Sequence, residues 1–364
     1  MTVNSRPMSQ GEDSTVSRPG GLACGSAAEY RVSEAEAGQK LLQFLQRRLQ
    51  LPQSLLHRWL RTGQVRLNGG RCKPFARVEI GDSVRLPPFA LKLAAQARAE
   101  AAPHNEQTSQ PGGGALPPLM CEKAGILAFC KPAGLPVHGG TGHSTSLASL
   151  LAAHFAQADF CPTPVHRLDK DTSGLLLVAA SYAALRDAQE SLRNGLWHKE
   201  YLAWVRGRWP WPEDRLLQHA LHKATTQGFE KMHALPLRGS APLLTPHCKE
   251  ARCLVRCLAT RQQGSLVQVR LLTGRTHQIR VQLAEMGHPV LGDSKYGGHG
   301  RLTGHLPYRQ SRQADANTPV LLLHSMRICL PDGHCFTSLP DWPKPFTIDS
   351  LPAPLEAAVG INEP

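Results

Sequence analysis

Between about Phe89 and Leu116 the sequence turns to Ala, Gln and Pro and includes a Gly112-Gly113-Gly114 run, a composition that buries too little apolar surface to pack. This break constrains the fold strongly, because a chain of 364 residues already exceeds the size at which single cores stop growing. Two folded units are expected: a small one over residues 29–88 and a larger one over 117–351, joined by a linker over 89–116 in which Leu91 to Glu100 has some helical character. Residues 1–28, rich in Ser, Gly and charge without hydrophobic periodicity, read as a disordered tail, and 352–364 as a second tail.

In the small unit Leu41, Leu42, Leu45 and Leu49 recur at helical spacing. Leu55, Leu56, Trp59 and Leu60 mark the inward side of a second helix, which Gly63 ends. Short extended pieces follow at Gln64 to Asn68 and Ser83 to Leu86, set apart by the turn signals Asn68-Gly69-Gly70 and Gly81-Asp82. The larger unit alternates strand-like stretches (Ile126 to Cys130, Leu175 to Ala180, Tyr201 to Val205, Leu266 to Leu272) with helical ones near Leu147 to Phe155, Ala183 to Arg193 and His277 to Glu285. The fold class is α+β. Gly297 to Asn317 has no periodicity and reads as a long surface loop.

Lys and Arg number 41 against 28 Asp and Glu, a formal net charge of +13 that favours polyanionic partners such as nucleic acid. The charge is concentrated. Ten basic residues (Lys40, Arg47, Arg48, Arg58, Arg61, Arg66, Arg71, Lys73, Arg77, Arg85) stand against two acidic ones (Glu79, Asp82), a local net of +8. With the apolar side of the second helix turned inward, His57, Arg58 and Arg61 point outward, where guanidinium groups pair with phosphate oxygens. The ten cysteines show no paired metal spacing, Cys253 and Cys257 being the closest two, and are expected to be ordinary reduced thiols. No apolar run reaches the ~18 to 20 residues of a membrane span, and the N-terminus lacks a signal peptide's apolar core. A soluble, cytoplasmic chain that engages no membrane is expected.

Arg61 to Gly70 reads RTGQVRLNGG, and EIGDSVRLP follows at Glu79 to Pro87. Together these resemble the alpha-L RNA-binding module, also called the ribosomal protein S-four type, over roughly Val32 to Pro87. The resemblance implies that a helix, a Gly turn and a following strand grip structured RNA, with Arg58, Arg61, Arg66 and Lys73 as contact residues. Where that family often opens its first helix with Arg-Leu-Asp, this chain has Lys40-Leu41-Leu42.

The most informative segment is HRLDKDTSGLLLVA, His166 to Ala179. It sets Asp169 in a turn beside cations at the mouth of an apolar strand, poised as a nucleophile or base. By itself such an Asp, Asp169 or Asp171, is better explained as a turn cap. The whole string, however, resembles the signature of the RluA-type pseudouridine synthase family. KPAGLPVHGG (Lys131 to Gly140), KEYLAWVRG (Lys199 to Gly207), LLTGRTHQIRVQL (Leu271 to Leu283), GHPVLGDSKYGG (Gly287 to Gly298) and LLLHSMRI (Leu321 to Ile328) extend the resemblance across the larger unit.

That resemblance implies a mixed, mainly antiparallel-sheet catalytic domain that isomerises uridine to pseudouridine in RNA. Asp169 is the implied catalytic carboxylate, and Asp171 falls on a variable position. The carboxylate either attacks the ribose C1' or abstracts a proton from C2', and the reaction needs neither redox cofactor nor metal. An Arg is expected to pair with it, Arg275 as first choice and Arg280 as second. Tyr201 matches the family's active-site Tyr, implied to pack against the target base and to help remove the C5 proton. Without the resemblance it would read as core. The target uridine is expected to be flipped out of its stack, with His166, Arg167, Lys170 and Arg280 as candidates to hold the RNA. For His166 a structural hydrogen bond that shapes the turn is an equal alternative. Gln282 stands where the family commonly has His, and Met326 where Trp is frequent, departures that bear on local packing.

The joining of the two modules points to the branch acting on large-subunit ribosomal RNA, with a branch acting on transfer RNA as the alternative. The expected partner is ribosomal RNA or a ribosome precursor, and the expected state a monomer. A noncatalytic RNA-binding or ribosome-assembly factor on the same fold would be marked by loss of the motif Asp, which is present. An aspartate-dependent hydrolase or nuclease would want further clustered carboxylates, and only Asp171 accompanies Asp169.

Overall fold

The computed structural model describes residues 28–101, 115–139, 145–226, 229–237, 248–297 and 320–356. The N-terminal tail up to residue 27, the later part of the expected linker and the loop expected after Gly297 lie outside these residues. Among the described residues no helix is long and apolar enough to cross a membrane.

The N-terminal part contains β1 (Glu29–Arg31), α1 (Leu41–Leu49), α2 (Gln53–Thr62), β2 (Arg66–Leu67) and β3 (Ser83–Arg85), with the strands in antiparallel order β1-β3-β2. Leu41, Phe44, Leu45 and Leu49 line one side of α1, and Leu56, Trp59 and Leu60 one side of α2, so that both apolar stripes close one core. Gly63 ends α2 at φ 71°, a left-handed conformation that glycine adopts without a Cβ penalty. The segment expected as a linker opens with α3 (Ala90–Ala101), whose Ala90 and Ala94 are buried in this same core. Small apolar side chains of high helix propensity pack there although each is only weakly hydrophobic.

The larger part is a sheet of eleven strands. In chain order these are β4 (Leu119–Lys123), β5 (Ile126–Lys131), β6 (Thr163–Pro164), β7 (Ser173–Ala179), β8 (His198–Val205), β9 (Arg215–Thr226), β10 (Phe229–Pro236), β11 (Lys249–Arg261), β12 (Gly264–Leu271), β13 (Leu323–Cys329) and β14 (Cys335–Thr337). Nine of them run in the spatial order β10-β9-β11-β12-β8-β13-β7-β5-β4, while β14 pairs with β13 and β6 with β7. All pairings are antiparallel except β13 with β7. The helices are α4 (Leu147–His154), α5 (Tyr182–Arg193) and α6 (Gln278–Glu285). Strands β9 to β11 were not expected from the sequence, because they mix His, Arg and Thr with apolar residues and carry no clean alternation.

Alternation along β8 decides which side chains meet the site. Tyr201, Ala203 and Val205 face one core, Leu202 and Trp204 another, as the two-residue period of a strand requires. At the parallel pairing of β7 and β13, Gly174 lies opposite Ser325, and a Cβ at Gly174 would stand 2.3 Å from the Ser325 carbonyl oxygen. Only glycine permits that approach, and its φ of 107° is one that L side chains rarely adopt.

The C-terminal segment expected to lie beyond residue 351 is partly built into the fold. Leu355 is buried, its N–H donates to Glu200 Oε1 at 2.7 Å, and its carbonyl accepts from Arg270 at 3.1 Å. Gln268 donates to the Ala353 carbonyl and Arg327 to that of Pro352, while Arg327 also pairs with Glu200. Polar side chains on central strands recognise the backbone here, so apolar periodicity could not reveal it. The expectation of uniformly reduced cysteines is also corrected: Cys329 and Cys335 form a disulfide, brought opposite each other by the β13–β14 hairpin register. Gln282, the first of the two departures noted above, is buried with its amide donating to the Ala251 carbonyl and contacting His219 Nδ1.

The two parts touch through α1. Arg48 pairs with Glu36 at 2.6 Å and with Asp159 at 3.0 Å. Arg47 donates to Thr163 Oγ1 and lies 4.7 Å over the Phe160 ring. Two of the ten cations counted toward RNA therefore hold the chain to itself. For the sheet, Gly174→Ala should lower unfolding free energy by about 3 kcal/mol through overpacking and backbone strain, read as a lowered urea midpoint with an unchanged slope.

Candidate active site

A cleft of about 730 Å³ opens on the Tyr201 face of the sheet. Its walls come from the turn carrying His166 to Thr172, the segment from Leu192 to Tyr201, and the stretch from Leu271 to Arg280. Asp169, Tyr201, Arg275 and Arg280, far apart in sequence, all line it.

Asp169 occupies the turn between β6 and β7, closed by a hydrogen bond from the Thr172 N–H to the Asp169 carbonyl at 3.2 Å. Behind the turn Lys131 is fully buried and donates to the carbonyls of Pro132, Leu135 and Lys170 at 2.9, 2.8 and 2.9 Å. Burial pushes its pKa down to about 7 against the pull of Asp171 and Asp169. The three acceptors nonetheless match the three protons of an ammonium. The Gly134 N–H reaches the same Lys170 carbonyl, so the KPAG segment braces the Asp169 turn from below.

The cation beside Asp169 is Arg280, not the first-choice Arg275. Arg280 Nη1 stands 3.4 Å from Asp169 Oδ2, and the rest of its guanidinium forms a two-pronged pair with Asp293 at 2.7 and 2.8 Å. Burial alone would lower the Arg280 pKa, but Asp293 and Asp169 raise it above the ordinary value. Burial likewise opposes the Asp293 carboxylate, yet Arg280 and the N–H groups of Tyr296 and Lys295 hold it below its usual range. Arg275 precedes α6 and donates from Nε to the Glu250 carbonyl at 3.0 Å. The reason is placement: Arg280, within α6, is buried and turned toward Asp169, whereas Arg275 sits on the exposed approach to the helix.

Tyr201 is buried on β8 with its ring lining the cleft. Burial raises its phenol pKa, with Ser325 acting against and Asp169 with that shift. At neutral pH it is therefore an uncharged wall, and it would have to lose its own proton before taking one from C5. His166 takes the structural alternative: its Nε2 accepts the Leu177 N–H at 3.1 Å and burial pushes its pKa to about 3. A neutral ring tied to β7 is not a cation for phosphate. Arg167 and Lys170 are exposed.

Lys199 also lines the cleft, with its pKa lowered by burial; two residues before Tyr201, it shares that residue's face of β8. His277, Asp293 and Tyr296 complete the surroundings and were quoted only as parts of motifs. Their signal was the co-occurrence of THQIR and GDSKY, which spacing cannot turn into contact. Among the described residues no cluster of three or more His, Cys, Asp or Glu side chains is arranged to hold a metal ion. In the N-terminal part Arg58, Arg61 and Lys73 line a second cleft of about 470 Å³ with His57 and Arg71, while Arg66 donates to the Gly63 carbonyl.

Removing the buried guanidinium by Arg280→Met leaves Asp293 uncompensated and should cost about 3–5 kcal/mol in urea denaturation, whereas Arg275→Ala should leave the midpoint in place. Since Asp293 is lowered from 3.8 in the fold, its contribution is complete above about pH 5 and is lost as pH falls through the folded pKa. Asp293→Asn should flatten that acid-side decline in midpoints measured across pH.

Residues 125–285 match the sequence pattern of the family described as RNA pseudouridylate synthase. The chain is 37% identical over 267 residues to the ribosomal large subunit pseudouridine synthase C of Salmonella typhimurium, covering 73% of this chain and 78% of the relative, with the same figures for that of Escherichia coli K12. The protein of that name from Haemophilus influenzae is 36% identical over 268 residues, again 73% and 78% of the two chains. Among solved structures, Human RNA Pseudouridylate Synthase Domain Containing 1 aligns with 67% of this chain and 94% of its own, at 23% identity and a TM-score of 0.48. With 37% identity across 73% of its length, this chain belongs to the RNA pseudouridylate synthase family and is an RNA pseudouridine synthase of the RluA type.

Proposed function

We propose that the chain isomerises specific uridines of large-subunit ribosomal RNA, with Asp169 as the reacting carboxylate. The observation that carries this is the setting of Asp169 in a cationic cleft, against Arg280 and within reach of the Tyr201 wall. Both Arg280 and His277 approach Oδ2, so among the described residues Oδ1 is the oxygen left to meet the ribose. It attacks C1' as the N1–C1' bond breaks, or takes a proton from C2'. The freed uracil turns against Tyr201 and C5 bonds to C1', as the Asp169–C1' ester bond breaks on the first route or as C2' regains its proton from Asp169 on the second; C5 then loses its proton and N1 gains one. Arg167, Arg193, Lys199 and Arg275 ring the cleft and make no ion pair among the described residues, which suits them to the phosphates of a flipped nucleotide.

The N-terminal part is proposed to act as an alpha-L module, with Arg58, Arg61 and Lys73 on RNA phosphates across the second cleft. Ribosomal rather than transfer RNA is favoured by the names of the relatives. A small unit that takes in α3, a larger one that takes in the backbone at 352–355, a monomeric state and a cytoplasmic location belong to the same proposal.

Asp169→Asn should abolish pseudouridine formation while RNA affinity in a filter-binding assay stays within about threefold, since one half-buried carboxylate adds no phosphate contact. Undiminished product would overturn the assignment of Asp169. Pseudouridine mapping of ribosomal and transfer RNA from cells lacking the protein should show sites lost from the large-subunit RNA; losses confined to transfer RNA would replace the substrate.

A further inference from the structure

His277 is held in an uncommon way. It precedes α6 with φ 54° and ψ 22°, a left-handed conformation seldom taken by a residue with a Cβ. Strain of this kind persists where surrounding contacts over-determine it, often at functional sites. Here the contacts are two. Nε2 faces Asp169 Oδ2 at 3.9 Å, and Nδ1 lies 2.9 Å from the Tyr296 hydroxyl.

The Tyr296 hydroxyl is itself oriented. Its oxygen accepts the Met232 N–H at 3.2 Å, and a backbone N–H can only donate. Among the described residues the sole acceptor within hydrogen-bond distance of the hydroxyl proton is then His277 Nδ1. The phenol keeps that proton, because burial raises its pKa. Its ring is fixed as well, with Lys231 Nζ 5.0 Å and Arg280 Cζ 5.3 Å from the ring centre. A proton donated to Nδ1 leaves the imidazole proton on Nε2, the nitrogen that faces Asp169.

We propose that Tyr296 and the Met232 N–H set His277 in the neutral Nε2–H tautomer, making His277 a positioning residue that presents a proton donor, without added charge, to the reacting carboxylate. The proposal rests on the reading of Asp169 as that carboxylate. At 3.9 Å the approach is longer than a hydrogen bond, and such contacts commonly tighten when substrate closes the site. An uncharged donor suits the place. Arg280 already brings a full positive charge to Oδ2, and an imidazolium beside it would blunt the carboxylate as nucleophile or base.

The charged groups around the ring act in both directions: burial, Arg280 and Lys295 disfavour the imidazolium, and Asp169 and Asp293 favour it. Lys231, from β10, packs on the Tyr296 ring. The net is a lowered pKa. Removing the hydroxyl takes away a hydrogen bond that exists only with the neutral ring, so the His277 titration should move up.

The test uses full-length enzyme and two readouts. Nitrogen NMR of histidine-labelled, RNA-free protein at neutral pH should show His277 protonated at Nε2, and Tyr296→Phe should give mixed tautomers with the titration raised by about one pH unit, the worth of one hydrogen bond. In single-turnover assays Tyr296→Phe should move the acid limb of the rate profile up by the same amount. His277→Asn, which tolerates the left-handed backbone, should lower the rate about tenfold with half-saturating RNA unchanged, as loss of a hydrogen bond to a charged group predicts. A wild-type ring protonated at Nδ1, or an acid limb unmoved in Tyr296→Phe, overturns the inference while Asp169→Asn remains inactive. Turnover by Asp169→Asn overturns the reading beneath it, and leaves the tautomer measurement standing as a separate result.

Discussion

The guanidinium of Arg280 is shared by two carboxylates, and the site is arranged around that sharing. Asp293 takes the close, two-pronged side and Asp169 the longer contact. A buried Arg–Asp pair contributes little net stability, because desolvation offsets much of the Coulomb gain. Its effect is geometric: it ties α6, the turn after Gly292 and the turn before β7 to one planar group. With one positive charge for two negative ones, the cluster gains from a neighbour that donates hydrogen bonds without charge, which is the part given to His277.

Behind this cluster the sheet supplies rigidity. The close approach at Gly174 locks β7 to β13 where β7 leaves the Asp169 turn. On the opposite face Glu200, Arg327, Gln268 and Arg270 hold the backbone of residues 352–355. Alternation makes Glu200 and Tyr201 neighbours in sequence that work on opposite faces, one fastening the C-terminal segment and the other forming the cleft wall. A site supported by strands and packed second contacts keeps its geometry better than one carried on loops.

Helix α5 connects the two halves of the molecule. Its first residue, Tyr182, lies against Gly38 of the N-terminal part, and its last, Arg193, lines the cleft. Twelve helical residues separate these ends by about 18 Å. The ion pair of Arg48 with Asp159 and the contact of Arg47 on Phe160 fasten the N-terminal part near the start of that helix, so the second basic cleft and the first stand in a set relation.

Much of this was legible in the chain itself. Apolar stripes at helical spacing located α1 and α2, Gly63 marked the end of α2, and the HRLDKDTSG and KEYLAWV strings brought Asp169 and Tyr201 forward as candidates. Such signals are local, each resting on a period or a motif within a few residues. The partner of Asp169 was not local: Arg275 and Arg280 sit in one motif, and only the packing of α6 places Arg280 inside and leaves Arg275 on the exposed segment before the helix. The disulfide, the strap at residues 352–355 and the Tyr296–His277 contact depend in the same way on register and close approach between distant segments. Sequence determined the local elements and the candidate residues; tertiary structure decided which of those residues meet, because a contact between side chains is set by the packing of whole elements and not by spacing along the chain.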